Sequence, residues 1–217
     1  MGIDVSASEP FANLKATVAG LTSHDLSKAD ISLPLHDGDD AYPQMLAAID
    51  NAKTTIALTS YIFRSDRIGH EFIDALVKAF QRGVLVRVLL DGFGSGMFSA
   101  TTYHAFRRQG VPVDRFVKSI LPWKMQFLNL RLHKKILVID GVTAFTGGPN
   151  IADENTSCPR QKIIVRDTHF ELSGSVVAQI TRRSVYNTPL SRKASDHLPL
   201  VANLDLNCTL PVLRHAV

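Results

Sequence analysis

Between residues 36 and 117, stretches of helical period alternate with short runs dense in β-branched residues, and that alternation restricts the chain to a sheet layered with helices. Asp39 and Asp40 precede Tyr42-Pro43, after which Tyr42, Met45, Leu46 and Ile49 recur at helical spacing. This predicts a capped amphipathic helix with proline in its first turn. Residues 54–63 follow as a Thr-rich, β-branched strand. Phe72, Ile73, Leu76 and Phe80 mark one face of a second helix over 69–82, with Gly83 placed to end it. Residues 84–90 form an apolar strand broken only by Arg87, which ends at Asp91 and opens into Gly92-Phe93-Gly94-Ser95-Gly96. That loop lacks the Gly-Lys-Ser/Thr ending of a nucleotide-binding loop and reads as a turn beside a site. A helix over 99–109, stopped by Gly110, and a strand over 111–117 complete the pattern. The expected fold class is α/β, a mixed, largely parallel sheet flanked by helices.

At 217 residues and 45% hydrophobic content the chain can bury one full core. Residues 1–35 show no sustained period and read as a leader or edge segment; 36–182 form the ordered domain. Residues 183–217, broken by prolines and with Tyr186 as their one aromatic residue, read as an irregular tail, truncated or out of frame. Lys and Arg number 24 against 20 Asp and Glu, a net +4 that suits an anionic partner but decides nothing alone. Cys158 and Cys208 are too few for a disulfide framework and have no partners at zinc spacing. No apolar stretch is long enough to cross a bilayer, so membrane contact is expected to be peripheral. Residues 118–131 mix Trp123, Phe127 and several Leu and Ile with Lys118, Lys124 and Arg131. That composition fits a membrane interface and, more simply, a long loop packed on the sheet.

The chemistry concentrates in residues 131–140, Arg-Leu-His-Lys-Lys-Ile-Leu-Val-Ile-Asp, a strand by its β-branched content. Alternation puts His133 and Lys135 on one face, with Asp140 at the end and of opposite parity. A neutral imidazole is a nucleophile, and an ammonium beside it offers donors to phosphate oxygens as charge builds up. After a turn and a strand over 142–146 come Gly147-Gly148-Pro149-Asn150. Gly147 and Gly148 are candidate substrate-binding positions because glycine lets the backbone approach a ligand, and Asn150 adds an amide donor. Neither a metal nor a cofactor is implied, since no carboxylate or histidine cluster has ligand spacing.

These residues resemble the phospholipase D superfamily, with its His-x-Lys-x4-Asp motif, and the surrounding sequence resembles the bacterial cardiolipin synthase branch. The similarity extends through Ile49-Asp50-Asn51-Ala52, Tyr61-Ile62-Phe63, Arg82-Gly83-Val84, the run from Val86 to Gly92, and Arg166-Asp167-Thr168-His169-Phe170. It implies that His133 is the position that becomes a phosphohistidine, or the acid that serves it, and that Lys135 and Asn150 hold the phosphate. Asp140 is then the supporting carboxylate of the candidate catalytic set, and Asp167 a carboxylate that orients the histidine and fixes its tautomer. His169 reads as a packed or surface residue.

The mechanism needs two histidine motifs and this chain carries one. The resemblance therefore implies a half-site, completed by a homodimer partner or by a missing C-terminal half. The expected function is phosphatidyl transfer with an anionic phospholipid such as phosphatidylglycerol as substrate, at a cytoplasmic location peripheral on the inner membrane. The alternatives are a homodimeric phosphodiesterase or nuclease and an inactive fragment. A nucleic acid partner is less favoured because no basic stripe interleaved with aromatics runs along the chain.

Overall fold

The computed structural model describes residues 16–17, 29–91, 101–116, 132–157 and 164–177. The glycine loop over 92–96, the basic and aromatic segment over 118–131, both cysteines, the tail over 183–217 and most of the leader lie outside the described residues.

The elements are β1 (Asp30–Ile31), β2 (Leu35–His36), α1 (Asp37–Asn51), β3 (Thr55–Ser60), α2 (Arg67–Gln81), β4 (Leu85–Asp91), α3 (Thr101–Arg108), β5 (Val113–Phe116), β6 (Ile136–Ile139), β7 (Thr143–Gly147) and β8 (Thr168–Ser173). They make one eight-stranded sheet in the order β1-β8-β7-β6-β3-β4-β5, with β2 also on β8. The expected mixed α/β sheet is present, but its parallel part is confined to β3, β4 and β5, the strands connected through α2 and α3. From β6 onward every pairing is antiparallel. The local reason is Asp140-Gly141, where both residues take left-handed φ (51° and 69°) and Val142 N donates to Ile139 O at 3.0 Å. Two successive left-handed residues make the tight hairpin turn that sends a strand straight back beside itself.

α1 starts earlier than the sequence suggests: His36 is its N-cap, and Pro43 falls inside it. Asp40 Oδ2 accepts from His36 N at 3.0 Å, which ties the entering chain to the first turn. At the other end α1 has no basic residue in its last turn. Arg82, just past α2, supplies the cation by donating to Ile49 O and Asp50 O at 3.0 and 2.9 Å. α2 is capped by Asp66, whose side chain accepts from Gly69 N at 2.9 Å, and Gly83 follows it with φ 91° as expected.

The helices pack on one face of the sheet, where Ile49, Ile56, Leu58, Phe72, Leu76, Val86, Leu90, Leu137 and Phe145 form the main core. Each such side chain contributes roughly 1.5–3 kcal/mol by leaving water. A small cluster of Ala57, Val138, Ala144 and Val177 occupies the opposite face. Strand register fixes which residues share an edge. Thr59 pairs with Ile136, Ile136 with Thr146, and Gly147 with His169. The ends of β3, β4 and β7 and the starts of β6 and β8 therefore meet along one edge of the sheet.

Candidate active site

That edge collects His133, Lys135, Gly147, Gly148, Asn150 and Asp167. The regular strand is shorter than the motif: His133 and Lys135 lie in the segment leading into β6, which begins at Ile136. The Lys135 Nζ is 3.3 Å from His133 Nε2 and 3.3 Å from His133 O. An ammonium can only donate, so a hydrogen bond at this contact pairs it with the tautomer of neutral imidazole whose Nε2 carries the lone pair. Lys135 is 9% exposed, whereas His133 is open to solvent. Burial pushes the Lys135 ammonium below the usual lysine range, and the Asp167 carboxylate opposes that shift.

Leu132, directly before His133, is fixed from below. Its N–H donates to Asp91 Oδ2 at 2.8 Å, and Asp91, at the end of β4, is 1% exposed. On the other side the Tyr61 ring lies 4.7 Å from the His133 ring at an interplanar angle of 59°. Tyr61 also carries the Lys135 Nζ 5.3 Å from its centroid.

Asn150 follows β7 and is held at two points. Its Oδ1 accepts from Ile62 N at 3.2 Å, and its carbonyl accepts from the buried Tyr42 hydroxyl. Oδ1 being engaged, the Nδ2 end of the amide is the part left to meet a ligand. The Tyr42 hydroxyl also donates to Ala152 O at 3.2 Å, and burial pushes its pKa up.

Asp167 enters the site from the start of β8. Its N–H donates to Asp37 Oδ1 at 2.8 Å, its carbonyl accepts from Asp37 N at 2.9 Å, and Asp37 Oδ2 pairs with Arg166. The Arg166 side-chain bond and the Asp167 backbone bond hold the Asp37 carboxyl below its usual range. Asp37 has a left-handed φ of 57°, uncommon for a residue with a side chain, and these bonds hold it there.

The two glycines have a structural reason beyond the one expected. A Cβ on Gly148 would fall 1.8 to 2.1 Å from the Asp167 carboxylate, and one on Gly147 would fall 2.3 Å from Thr168 O and 2.8 Å from His169 Nδ1. The pair gives up its side chains so that the start of β8 can close onto it. His169 is packed, 1% exposed, and among the described residues neither ring nitrogen has a hydrogen-bond partner. Burial lowers its pKa to about 4, Asp167 opposing and Lys135 reinforcing the shift.

Asp140 is not part of this cluster. It lies past the far end of β6, on the opposite edge of the sheet, where its Oδ1 accepts from Thr54 N, Thr54 Oγ1 and Thr55 N at 2.8–2.9 Å and its Oδ2 from Lys53 N at 2.9 Å. Burial raises its pKa, and the bonds from Thr55, Lys53 and Thr54 outweigh that and lower it. The carboxylate clamps the α1–β3 connection to the β6–β7 turn, a placement in keeping with the structural role that its opposite strand parity favours. Tyr61, Asp91, Asp37 and Tyr42 were not singled out on the sequence. Tyr61 was visible inside the family-like Tyr61-Ile62-Phe63 segment, but its partners are distant in sequence.

A His-x-Lys pair and an Asn amide on the edge of a mixed α/β sheet define a phospholipase-D-like domain. The sequence pattern of the family described as "Cardiolipin synthase, PLD-like domain" matches residues 45–183, and the chain belongs to that family. Among curated relatives it is 34% identical over 170 residues to the major cardiolipin synthase ClsA of Bacillus subtilis, covering 76% of this chain and 34% of that protein. It is 38% identical over 160 residues to the cardiolipin synthase of Alkalihalophilus pseudofirmus, covering 71% and 32%. The chain thus spans about a third of the length of these relatives. Among solved structures it resembles the phospholipase D family member Nuc of Salmonella typhimurium, with TM-score 0.52, 23% identity, and coverage of 70% of this chain and 88% of that one. It also resembles the phosphatidylserine synthase of Haemophilus influenzae, with TM-score 0.53, 16% identity, and coverage of 76% and 39%. The two structural likenesses concern the fold alone.

Proposed function

We propose that this chain provides one half of a phosphatidyl-transfer centre of the cardiolipin synthase kind, with His133 as its nucleophile. The observation that carries the reading is the Lys135 ammonium 3.3 Å from His133 Nε2, on the edge shared with Asn150 and Asp167. In the proposed reaction Nε2 attacks the phosphorus of an anionic phospholipid such as phosphatidylglycerol. An N–P bond forms and the bond to the leaving alcohol oxygen breaks. Lys135, and Asn150 through Nδ2, donate to the nonbridging oxygens as they gain charge. A second His-x-Lys motif, from a partner copy or from sequence beyond this chain, protonates the departing alkoxide. It then takes the proton from an acceptor lipid hydroxyl, whose oxygen attacks phosphorus and breaks the N–P bond.

Asp167 is proposed to balance Lys135 and orient the imidazole. Among the described residues no helix is long and apolar enough to cross a membrane. We place the chain peripherally, at the cytoplasmic surface of the inner membrane, where its substrate resides.

The test is intact-mass and peptide analysis of the protein after incubation with phosphatidylglycerol micelles and quenching in alkali, which preserves N–P bonds. A phosphatidyl adduct on the His133 peptide, lost in His133→Ala, supports the proposal. Glycerol release that is unchanged in His133→Ala overturns it. Salt-sensitive cleavage of DNA without lipid turnover would move the substrate to nucleic acid while keeping the chemistry.

A further inference from the structure

We infer that Tyr61 is a positioning residue of this site: its ring braces the His133 imidazole and the Lys135 ammonium in one arrangement. The inference rests on the reading of His133 as nucleophile. The ring lies tilted against the imidazole at 4.7 Å and carries the Lys135 Nζ at 5.3 Å, so one side chain touches both members of the pair.

The brace is stiff because the backbone on either side of it is fixed. Ser60 ends β3 in register with Leu90, and its hydroxyl donates to Ile62 O at 2.8 Å. Ile62 N donates to Asn150 Oδ1, and Ile62 O also accepts from Ile151 N at 3.1 Å. Phe63, 1% exposed, is wedged edge-on between Phe72 and Phe106, with ring centroids at 6.5 and 5.7 Å.

The arrangement matters because Lys135 meets the Nε2 lone pair that must attack phosphorus. For reaction the ammonium has to redirect its hydrogen bonds to phosphate oxygens, keeping its protons, without leaving the site. The aromatic face, attractive to a cation from any angle above the ring, holds it through that exchange. Both contacts are made to the Tyr61 ring, so a phenylalanine at this position keeps them.

The experiment compares Tyr61→Phe and Tyr61→Leu with wild type by steady-state turnover of phosphatidylglycerol and by the NMR resonances of the His133 imidazole protons, which feel the ring current of a stacked aromatic. Tyr61→Leu should lower kcat by about 10- to 100-fold, the scale of a misaligned reacting pair. KM should change by less than about twofold, because ground-state binding is not what the ring provides. The His133 resonances should shift in Tyr61→Leu, and Tyr61→Phe should restore both readouts. Unmoved resonances in a folded Tyr61→Leu, or shifted ones in Tyr61→Phe, would overturn the brace. Resonances that move as expected in a protein with no phosphodiester turnover would sink the proposed activity and leave the brace standing.

Discussion

The Asp167 carboxylate occupies the space that a side chain on Gly148 would need, with Oδ1 1.8 Å from the position of an ideal Cβ. Adding one methyl group must move the carboxylate, because Asp167 is tied through its own backbone to Asp37. Gly148→Ala should lower turnover by about 100-fold through misplacement of a charged site group, with a much smaller change in melting temperature. Full activity in that variant, assayed beside its thermal unfolding curve, would show that the carboxylate has no part in the site.

Lys135 must stay charged to serve phosphate. Burial already lowers its pKa and the Asp167 carboxylate holds it up. Asp167→Asn removes the opposing charge, so the alkaline fall in activity should begin at lower pH than in wild type. The kcat/KM profile between neutral pH and pH 10 reads this directly, and an alkaline limb displaced upward would contradict it.

His169 gives a different pH dependence, one of stability. Its folded pKa is about 4 against 6.5 for the free side chain. The unfolded chain therefore takes up a proton first as the solution is acidified. Stability is fully present above about pH 6.5, falls as pH drops, and levels off below about 4, a loss on the order of 3 kcal/mol. His169→Phe should flatten that part of the urea-midpoint curve. The lowered carboxyls of Asp37 and Asp140 act only further down, below their ordinary value of 3.8.

Asp140→Ala removes the acceptor of four hydrogen bonds, three of them from backbone N–H groups. A cost on the order of 2 kcal/mol follows from the loss of such a capping carboxylate. The folded fraction should keep its turnover, because Asp140 is on the opposite edge from His133. Chemical denaturation and activity per folded molecule separate the two effects, and a collapse of turnover at unchanged stability would return Asp140 to the catalytic set.

The helices and the parallel half of the sheet were legible because their signals are local: the spacing of Phe72, Ile73 and Leu76, the stop at Gly83, and the β-branched runs. The antiparallel half was under-read. Asp140-Gly141 was read as a turn, but not as the tight two-residue hairpin that makes β6 and β7 antiparallel neighbours. Within the site, His133, Lys135, Gly147, Gly148, Asn150 and Asp167 were visible as a set through their resemblance to a known motif. Their physical grouping was not, since Gly147 meets His169 and Lys135 meets Tyr61 only through register and chain crossings. Asp37 was hidden for the same reason: its partners Arg166 and Asp167 are far along the chain, and an acid at a helix start is otherwise explained by the helix.

Because His133 and Lys135 lie at the entry of β6 and Asp140 just beyond its exit, the interval between them acts as a gauge of the sheet. Four residues, Ile136–Ile139, span its width, and each end of the gauge is fastened to a different part of the molecule. A single-residue insertion in β6 could not be absorbed in a loop. It would either drag the ammonium away from the Nε2 lone pair or pull the carboxylate off the Thr54 and Thr55 amides, and it would turn Leu137 and Val138 onto the wrong faces. The motif's spacing is thus a measured length, set by hydrogen bonds at one end and by chemistry at the other.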